Sequence, residues 1–587
     1  MTGAATAGAA VMESRKPGQG AGEPGSTLHD KPLGAAATRA HTDWIVFGAV
    51  AAIMFALVGW GRLATEGLAT AASSALAWLI ANLGWFFVLS ATGFVAFALY
   101  LASSRFGRIP LGQDGAEPEF GTASWIAMMF STGMGIGLMF FGVSEPLSHF
   151  VRPPPATVPM LVDGSIAPNA TAQAIRTAMA TTLFHWTLHP WAIYAVAGLA
   201  IAYSTFRKGR RQLISSVFTP LLGKRRAEGP VGKLIDILAL FATLFGSAAS
   251  LGLGALQIRT GMVEAGWIAG LGTAALVVII VALTICFIAS AVSGIARGIQ
   301  FLANANMVLA ALLAVFVFLV GPTVFMLNLV PASIGAYLQD FGLMASRSGA
   351  TGGEAMSAWL RSWTIFYWAW WISWTPFVGM FIARISRGRT IRQFVAGVLL
   401  VPSLVSVLWF AIFGGAAIDL ARSGAPVAAG GAEAQTFAVL DHLPLSGLTS
   451  VLVMTLVAIF FVSGADAASV VMGTLSQRGS IAPSRWVVIF WGAATGAVAA
   501  VMLAIGGNEA LSGIQNLTFI AALPFTIVLV AMCCALMSDL RHDPIVVRET
   551  KGAEVLEAAV SKGLEHHDGE FELQISGAAE AGPRDSH

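Results

Sequence analysis

Apolar stretches of about 20 residues, the length that a helix needs to cross the hydrocarbon core of a bilayer, recur along this sequence. Hydrophobic residues make up 56% of the 587 residues and charged residues only 11%, whereas soluble domains carry about 25% charged residues. An ordinary soluble enzyme is therefore excluded. The stretches do not alternate in polarity as the strands of a membrane barrel do, so we predict an all-α polytopic membrane protein. Its twelve predicted transmembrane helices are residues 44–60, 76–101, 125–141, 178–203, 234–258, 267–288, 302–320, 359–383, 394–413, 451–472, 486–505 and 514–537.

Positive charges cluster in four of the connections between these spans. All four connections fall on one side of the membrane if the twelve spans alternate, and the positive-inside rule makes that side the cytoplasm. We therefore predict a multi-pass protein of the cell membrane with both termini in the cytoplasm. The four clusters are eight lysines and arginines in 206–233, four arginines in 384–392, the pair Arg105 and Arg108, and the pair Arg478 and Arg485.

The two ends of the chain differ from the apolar body. Residues 1–43 are rich in Ala, Gly and Pro and hold no apolar core, which predicts a disordered cytoplasmic tail and not a cleavable signal peptide. Residues 538–587 carry five basic and eleven acidic side chains, which predicts an acidic cytoplasmic tail. The whole chain has a net charge of +2, so nothing indicates a nucleic-acid partner.

Three glycines at alternate positions, Gly133, Gly135 and Gly137, interrupt the third span. Each costs a helix about 1 kcal/mol relative to alanine, and each leaves the backbone open to a ligand or an ion. Unwound backbone at membrane depth is tolerated only where it lines a cavity or is buried in protein. Close packing of helices is the alternative use of such glycines. The density of this run favours a broken helix.

Tryptophans are concentrated in the eighth span, where six of the chain's 17 lie between positions 359 and 374. An interfacial belt places one or two tryptophans near the end of a span, whereas these run deep into it. At about 100° per residue, Tyr367, Trp370, Trp371 and Trp374 share one face. Packing alone is the alternative explanation of such an aromatic face.

The fourth span adds Trp186, Trp191 and Tyr194 around Pro190, which we expect to loosen the helix. A quaternary ammonium cannot donate hydrogen bonds, so aromatic faces are its natural partners, at about 2 kcal/mol or more for a desolvated contact. A carboxylate on the same ligand would need an indole or backbone N–H nearby. The two aromatic spans and the broken helix therefore predict a binding site for a methylated onium zwitterion.

The spans divide into two blocks of five, residues 123–322 and 359–537, and each block opens with an unusual helix. Because five is odd, the blocks have opposite orientations in the membrane. Such inverted repeats hold substrate and ions between them, at their broken first helices. Two peripheral helices at 44–101 precede the blocks, and 323–358 is predicted to be an extracytoplasmic connection with an amphipathic helix.

Five segments resemble the betaine/carnitine/choline transporter family. The resemblance extends from residue 44 to about residue 548, and it implies a secondary transporter and not an enzyme. It also implies a leucine-transporter-like five-plus-five inverted repeat after two extra helices, assembled as a homotrimer in the membrane lipid. The segments are GMGIGLMF at 133–140, FHWTLHPWAIY at 184–194, SLGLGALQI at 250–258, WAWWISWTPF at 368–377 and ARISRGRT at 383–390.

The same resemblance implies the substrate site. Trp374 falls where the family contacts the substrate carboxylate, and Gly137 falls where some choline carriers have an acid. An uncharged residue there favours a zwitterion such as glycine betaine, or a sulfonium analogue such as dimethylsulfoniopropionate, over choline. The remaining candidates are Trp186, Trp191, Tyr194 and Trp371 as an aromatic box, Phe140, Trp370 and Phe381 as gate positions, and Met134 and Gly135 in the glycine run.

Sodium is the coupling ion that the resemblance implies, with no other cofactor. One implied site is Thr243, Ser247 and Phe377. Gly464 departs from the second site, because sodium-driven members have a hydroxyl at that position and a hard cation prefers oxygen ligands. We nevertheless expect sodium symport. The second implied site comprises Ser131, Met134, Phe460, Ser463 and Gly464.

Other functions remain open at this point. One is a sodium-independent substrate/product exchanger or a proton-coupled choline or carnitine carrier. Another, from a different class, is a membrane haem or redox protein, because His185 and His189 are four residues apart on one predicted helix. Of the acidic residues, Glu145 and Asp236 are expected to cap helices or form ion pairs near span ends, whereas Asp466 lies within a span.

Overall fold

The computed structural model describes residues 41–133, 135–268, 272–293, 295–506 and 510–567. Within these ranges the chain is helical, and its only β pairings are two isolated bridges. The N-terminal tail up to residue 40, Met134 and the last twenty residues lie outside the described part. The helices are α1 (Trp44–Leu63), α2 (Thr65–Ser103), α3 (Thr122–Gly133), α4 (Ile136–Val151), α5 (Thr171–Trp186), α6 (Leu188–Ala202), α7 (Thr219–Leu222), α8 (Lys224–Ala227), α9 (Pro230–Glu264), α10 (Thr273–Ser293), α11 (Ile295–Val320), α12 (Thr323–Ala345), α13 (Gly349–Leu360), α14 (Phe366–Ile385), α15 (Ile391–Arg422), α16 (Ala432–Asp441), α17 (Ser446–Ser476), α18 (Arg485–Gly506), α19 (Ala510–Arg541) and α20 (Pro544–His567).

Seven helices of the described part are long and apolar enough to cross a membrane: α1, α2, α9, α15, α17, α18 and α19. An eighth span results if the bent pair Asn304–Val320 and Thr323–Ala345, which turns by 110°, is counted as one. The third and fourth predicted spans are each divided into two shorter helices, α3 with α4 and α5 with α6. The all-helical membrane architecture is thus confirmed, while the count of twelve and the inverted repeat stay predictions.

The third predicted span is broken, as the glycine run indicated. Helix α3 ends at Gly133 and α4 begins at Ile136. Gly135, between them, has φ −151° and ψ −142°, which is not helical. The prediction of a broken helix is therefore confirmed.

The fourth predicted span is also divided, but at Thr187 and not at Pro190. Thr187 has φ −112° and ψ −111° and separates α5 from α6. A proline ring disrupts the turn that precedes it, because it clashes with the carbonyl four residues back and offers no N–H. Pro190 itself therefore lies in the first turn of α6, where a proline is tolerated, and the break comes three residues earlier.

The start of the sixth predicted span was wrong by six residues. Trp267 was expected to open a helix, but α10 begins at Thr273. Gly266 has φ +71°, and the N–H groups of Gly266 and Trp267 bond back to the carbonyls of Val263 and Met262. This is the left-handed glycine cap that ends a helix. Trp267 therefore belongs to the end of α9.

Helix α14, which carries the tryptophan cluster, packs against α6, α9 and α19. Gln212 donates to the carbonyl of Met380 near the end of α14 (3.5 Å). Three residues on, the Ser215 hydroxyl donates to Asp236 near the start of α9 (2.8 Å). The end of α14 thus lies near the start of α9, so these two packed helices run in opposite directions.

Candidate functional site

Four aromatic rings from α5, α6 and α14 converge in the interior of the bundle. The centroids of Trp186 and Trp371 are 5.0 Å apart, and the rings meet at 76°. Tyr194 lies 6.4 Å from Trp371 at 78° and 5.6 Å from Trp191 at 79°. All four side chains are buried, with at most 4% of each residue exposed. The structure therefore brings together the whole predicted set, which we call the aromatic box.

One side of the box is sealed by further aromatic rings. Trp370 stacks on Trp371 with centroids 4.7 Å apart and planes 15° apart. Phe141 lies 5.9 Å from Trp370 and 4.8 Å from Phe140. Phe140 and Trp370, the two predicted gate positions on this side, are fully buried. We call this the packed side.

Gly137 forms part of the packed side and leaves no room for a side chain. A Cβ atom built there would lie 2.7 Å from Cη2 of Trp370 and 2.9 Å from Cη2 of Trp186. Real Cβ atoms essentially never approach other atoms so closely. An acid at this position would therefore displace the box rings, which gives a steric reason for the uncharged residue that the sequence indicated.

The opposite side, which we call the open side, contains partly exposed groups. Gly135, Trp374 and Phe460 are all of intermediate exposure, and so is Phe381, two turns further along α14. A Cβ atom at Gly135 would lie 3.9 Å from the Phe460 ring and 4.0 Å from the Trp374 ring. The break between α3 and α4 thus faces rings of α14 and α17, with room for a Cβ atom in ordinary van der Waals contact. Phe381, the third predicted gate position, therefore lies in a more exposed environment than Phe140 and Trp370.

The indole N–H groups around the box already have acceptors within the protein. Trp371 donates to the carbonyl of His185 (3.1 Å), and Trp374 donates to the carbonyl of Gly246 (2.7 Å). Trp186 donates to Glu145 Oε2 (2.5 Å). In this conformation these three indole N–H groups are therefore engaged within the protein.

The first predicted ion site lies where α9 meets α14. A Cβ atom at Gly246 would lie 2.8 Å from Trp374 Cδ1, so the two helices touch at this level. Because they run in opposite directions, Thr243, one turn before Gly246, lies at about the level of Phe377. The Phe377 ring is 5.8 Å from the Trp374 ring. The Thr243 and Ser247 side chains are buried one helical turn apart on α9, so the three predicted residues lie in one region.

The second predicted ion site is only partly described. The Ser463 hydroxyl donates to the carbonyl of Ile459 (2.9 Å) in its own helix α17. A Cβ atom at Gly464 would have no other atom within 4 Å, so this position has space for the missing hydroxyl. The Ser131 side chain and Met134 lie outside the described part.

A buried polar cluster behind the box was missed by sequence reasoning. Glu145 was expected to cap or pair near a span end, but it is fully buried. Its Oε2 accepts hydrogen bonds from Trp186 Nε1 and from the Tyr367 hydroxyl, each at 2.5 Å, and its Oε1 lies 2.6 Å from His185 Nδ1. The sequence could have indicated this cluster. Glu145 lies ten residues after the glycine break, which places it within the membrane, and acidic residues at that depth usually have a functional role.

The two histidines of the haem hypothesis have different environments. His185 engages Glu145, whereas His189 stacks on Trp368 (4.7 Å) and Phe341 (5.3 Å). The two imidazoles therefore do not present a common face to one iron atom. Asp466, the acid within the tenth predicted span, accepts a hydrogen bond from the Ser290 hydroxyl (2.8 Å).

Comparisons with known proteins agree with one another. Residues 45–545 match the family described as betaine/carnitine/choline family transporter. The betaine/ectoine transporter LcoP of Corynebacterium glutamicum is 45% identical over 540 residues, which cover 92% of this chain and 84% of that protein. The glycine betaine transporter OpuD of Bacillus subtilis is 46% identical over 515 residues, which cover 87% of this chain and 96% of that protein.

A solved structure of a sodium-coupled sialic acid symporter, in a substrate-bound outward-open state, shows a weaker similarity. Its TM-score is 0.39 at 14% identity, over 76% of this chain and 86% of that one. A similarity at this level carries no argument about fold or coupling ion.

Proposed function

Because this chain belongs to the betaine/carnitine/choline transporter family, we propose that it imports a betaine-like zwitterion by sodium symport. As a member of that family, the chain is a membrane transporter and not an enzyme. The observation that carries the proposal is the aromatic box, in which rings from α5, α6 and α14 meet at nearly right angles.

The box suits a cation that is coated with methyl groups. Two rings at right angles form a corner, and one cation placed in that corner contacts both negatively polarised faces. Trp186 with Trp371 and Trp371 with Tyr194 each form such a corner. Trimethylammonium and dimethylsulfonium heads both fit this description. The proposal therefore covers glycine betaine and, as its sulfonium analogue, dimethylsulfoniopropionate.

The substrate carboxylate needs a donor that the indoles in their present bonds do not offer. Helix α4 begins at Ile136, and the first N–H groups of a helix have no partner within it. Gly137, in the same turn, lies against Trp186 and Trp370. The positive end of α4 is thus next to the box, and such helix ends bind anions. We assign the carboxylate to this helix end.

Tyr194 offers a second donor for the carboxylate. Its hydroxyl is buried and has no hydrogen-bond partner among the described residues. A buried hydroxyl normally has one. A substrate carboxylate in the box would supply that partner, while Trp374 would first have to release the carbonyl of Gly246.

Sodium coupling is supported by one pair of side chains. The buried hydroxyls of Thr243 and Ser247 next to Phe377 support it, because sodium prefers oxygen ligands. Gly464 removes one side-chain oxygen from the second implied site, and this favours a second candidate, a sodium-independent exchanger or proton-coupled carrier. Potassium replacement separates the two candidates.

The assembly and orientation are also proposals. We propose a homotrimer in the lipid of the cell membrane, with both termini in the cytoplasm. The four basic connections support the orientation, because loops rich in lysine and arginine lie on the cytoplasmic side.

Uptake of labelled glycine betaine by cells that lack betaine transporters tests the proposal. We expect accumulation above the level of the empty vector in sodium medium and little accumulation when potassium replaces sodium. Uptake equal to the vector in both media would contradict the transport function. Equal uptake in both media, above the vector, would remove only the sodium coupling.

A further inference from the structure

Three potential metal ligands face one another behind the box. Glu145 and His149 are one turn apart on α4, and His185 lies on α5. One ligand atom from each lies within 4.8 Å of the other two, and all three side chains are fully buried. Glu145 Oε1 is 2.6 Å from His185 Nδ1 and 3.5 Å from His149 Nε2.

The remaining polar atoms of two of these side chains are held by the protein. Glu145 Oε2 accepts hydrogen bonds from Trp186 and Tyr367, and His185 Nε2 lies 2.9 Å from the Thr364 hydroxyl. Metal ligands are typically oriented in this way, with one atom on the ion and the other on a supporting partner. Glu145 Oε1 and His185 Nδ1 are hydrogen-bonded to each other, so an ion would take the place of the proton that they share.

His149 is the group that needs a partner. Both of its ring nitrogens are buried, and neither makes a well-aligned hydrogen bond among the described residues, although Nε2 lies 3.5 Å from Glu145 Oε1. Buried polar atoms in folded proteins are nearly always satisfied. A buried carboxylate likewise needs a cation, and among the described residues the only basic side chains within ion-pair distance of Glu145 are His149 and His185, which carry a charge only when protonated.

We propose that Glu145, His149 and His185 bind one divalent transition-metal ion, for which zinc is the best match. Two imidazoles and a carboxylate are an established donor set for zinc, with water as the fourth ligand. In a tetrahedron with bonds of about 2.0–2.1 Å the donor atoms lie about 3.4 Å apart; the 3.5 Å between Glu145 Oε1 and His149 Nε2 is close to that separation, while the 2.6 Å between Glu145 Oε1 and His185 Nδ1 must lengthen as the ion replaces their hydrogen bond. Sodium is not the ion meant here, because imidazole nitrogen suits transition metals.

The ion reaches this site from a neighbouring cavity. A cavity of about 750 Å³ is lined by Thr181, Arg347 and Met356, among others. The Arg347 guanidinium lies over the Trp359 ring at 5.2 Å, and the His149 ring is 5.5 Å from the same indole. One aromatic ring thus separates the cavity from the ligands. On the cavity side of this ring, Arg347 donates to the Thr181 hydroxyl (3.3 Å), and its positive charge opposes a cation at the site.

A bound ion would act on the box through Glu145. The carboxylate that ligates the ion also accepts the Trp186 indole N–H, so the ion would fix α4, α5 and one wall of the box in a single arrangement. Zinc is therefore expected to inhibit transport. The proposal does not rest on the nature of the substrate or on sodium coupling.

The test uses the purified full-length protein, untagged and treated with a chelator. Calorimetry with zinc is expected to show one saturable site per chain, and cobalt is expected to give the visible absorption bands of a tetrahedral complex. His149→Ala should weaken zinc binding by more than about 10-fold, and Thr364→Val by about 10- to 100-fold, the usual effect of removing a supporting partner. His442→Ala is the matched control, because His442 is exposed and should leave binding unchanged.

Two outcomes would overturn the proposal: no saturable binding by the unaltered protein, or equal binding by it and by His149→Ala. The unfolding temperature distinguishes a lost ligand from a lost fold. Zinc should raise it for the unaltered protein and not for the His149 variant, while both should remain monodisperse without metal. A protein that binds zinc at this site but does not carry betaine would disprove only the transport proposal.

Discussion

The packed side and the open side of the aromatic box contain glycines two residues apart that do different things. Gly137 is required by contact, because a Cβ atom there would lie 2.7 Å from Trp370. Gly135 lies in a break between two helices, and its nearest ring atoms would be 3.9 and 4.0 Å from a Cβ atom. One glycine lets two rings meet, and the other lies where the backbone leaves the helix. The same residue type in one short motif therefore serves packing at one position and chain geometry at the other.

The contrast extends to polar groups. On the packed side, Glu145 accepts hydrogen bonds from Trp186 and Tyr367 and fixes the rings. Gly464, one turn after Phe460 of the open side on α17, has no neighbour within 4 Å of a Cβ atom. We infer that the packed side holds the onium head in a fixed geometry, while the open side is where ions and substrate enter or leave. The following predictions test this difference.

Trp371→Ala is expected to have the largest effect. It removes a ring that contacts Trp186, Tyr194 and Trp370, so tryptophan fluorescence should no longer respond to glycine betaine and uptake should cease. Trp44→Ala is the control, because Trp44 is 67% exposed at the start of α1, and it should leave both signals intact. If the Trp371 variant still binds glycine betaine, the aromatic box is not the substrate site.

Gly137→Ala should come next and should differ from Gly135→Ala. The added methyl group at Gly137 must displace Trp370 and Trp186, and overpacking of this kind costs about 1–3 kcal/mol. We expect a lower unfolding temperature and almost no uptake for Gly137→Ala, with most uptake kept by Gly135→Ala. If both variants behave alike, the distinction between the packed and open sides is wrong.

Tyr194→Phe should have an intermediate and selective effect. A hydrogen bond to a charged group contributes about 1.5–3 kcal/mol, so betaine affinity should fall by roughly 10-fold or more. Tetramethylammonium, which has no carboxylate, provides the matched comparison and should inhibit both proteins equally. An equal loss for the two ligands would show that the hydroxyl does not serve the carboxylate.

Gly464→Ser should have the smallest effect, and it should be a gain. The position is open, so the serine hydroxyl can add the oxygen ligand that sodium-driven relatives of the family are expected to have. The sodium concentration for half-maximal uptake should fall a few-fold, without loss of maximal rate. Gly137→Ser, with no such space, is the contrasting variant and should abolish uptake. If the sodium dependence of uptake is unchanged in Gly464→Ser, position 464 does not contribute to a sodium site.

The sequence was most informative where a local property decides the structure. The helix break at Gly135 and the convergence of Trp186 with Trp371 were predicted, because glycine density and aromatic spacing are visible within one segment. We expected Pro190 to loosen the fourth span, but the helix breaks at Thr187, because a proline disrupts the helical turn that precedes it.

Contacts between distant segments could not be predicted from the sequence in this way. Glu145 bonds to a tyrosine 222 positions away, and no periodicity in either segment pairs them. The acceptors of the indole N–H groups were hidden for the same reason, because the Gly246 carbonyl that receives the Trp374 indole belongs to a different helix. Such pairings depend on how the helices pack.

The most direct test of the account compares glycine betaine with 3,3-dimethylbutanoate, its carbon isostere, which has the same shape and carboxylate but no positive charge. If the rings of the box bind the onium charge, the isostere loses about 2 kcal/mol or more of cation–π attraction, and it should compete for binding about 30-fold less well than betaine or worse. Equal competition by the two compounds would show that the site recognises shape alone and would contradict the account.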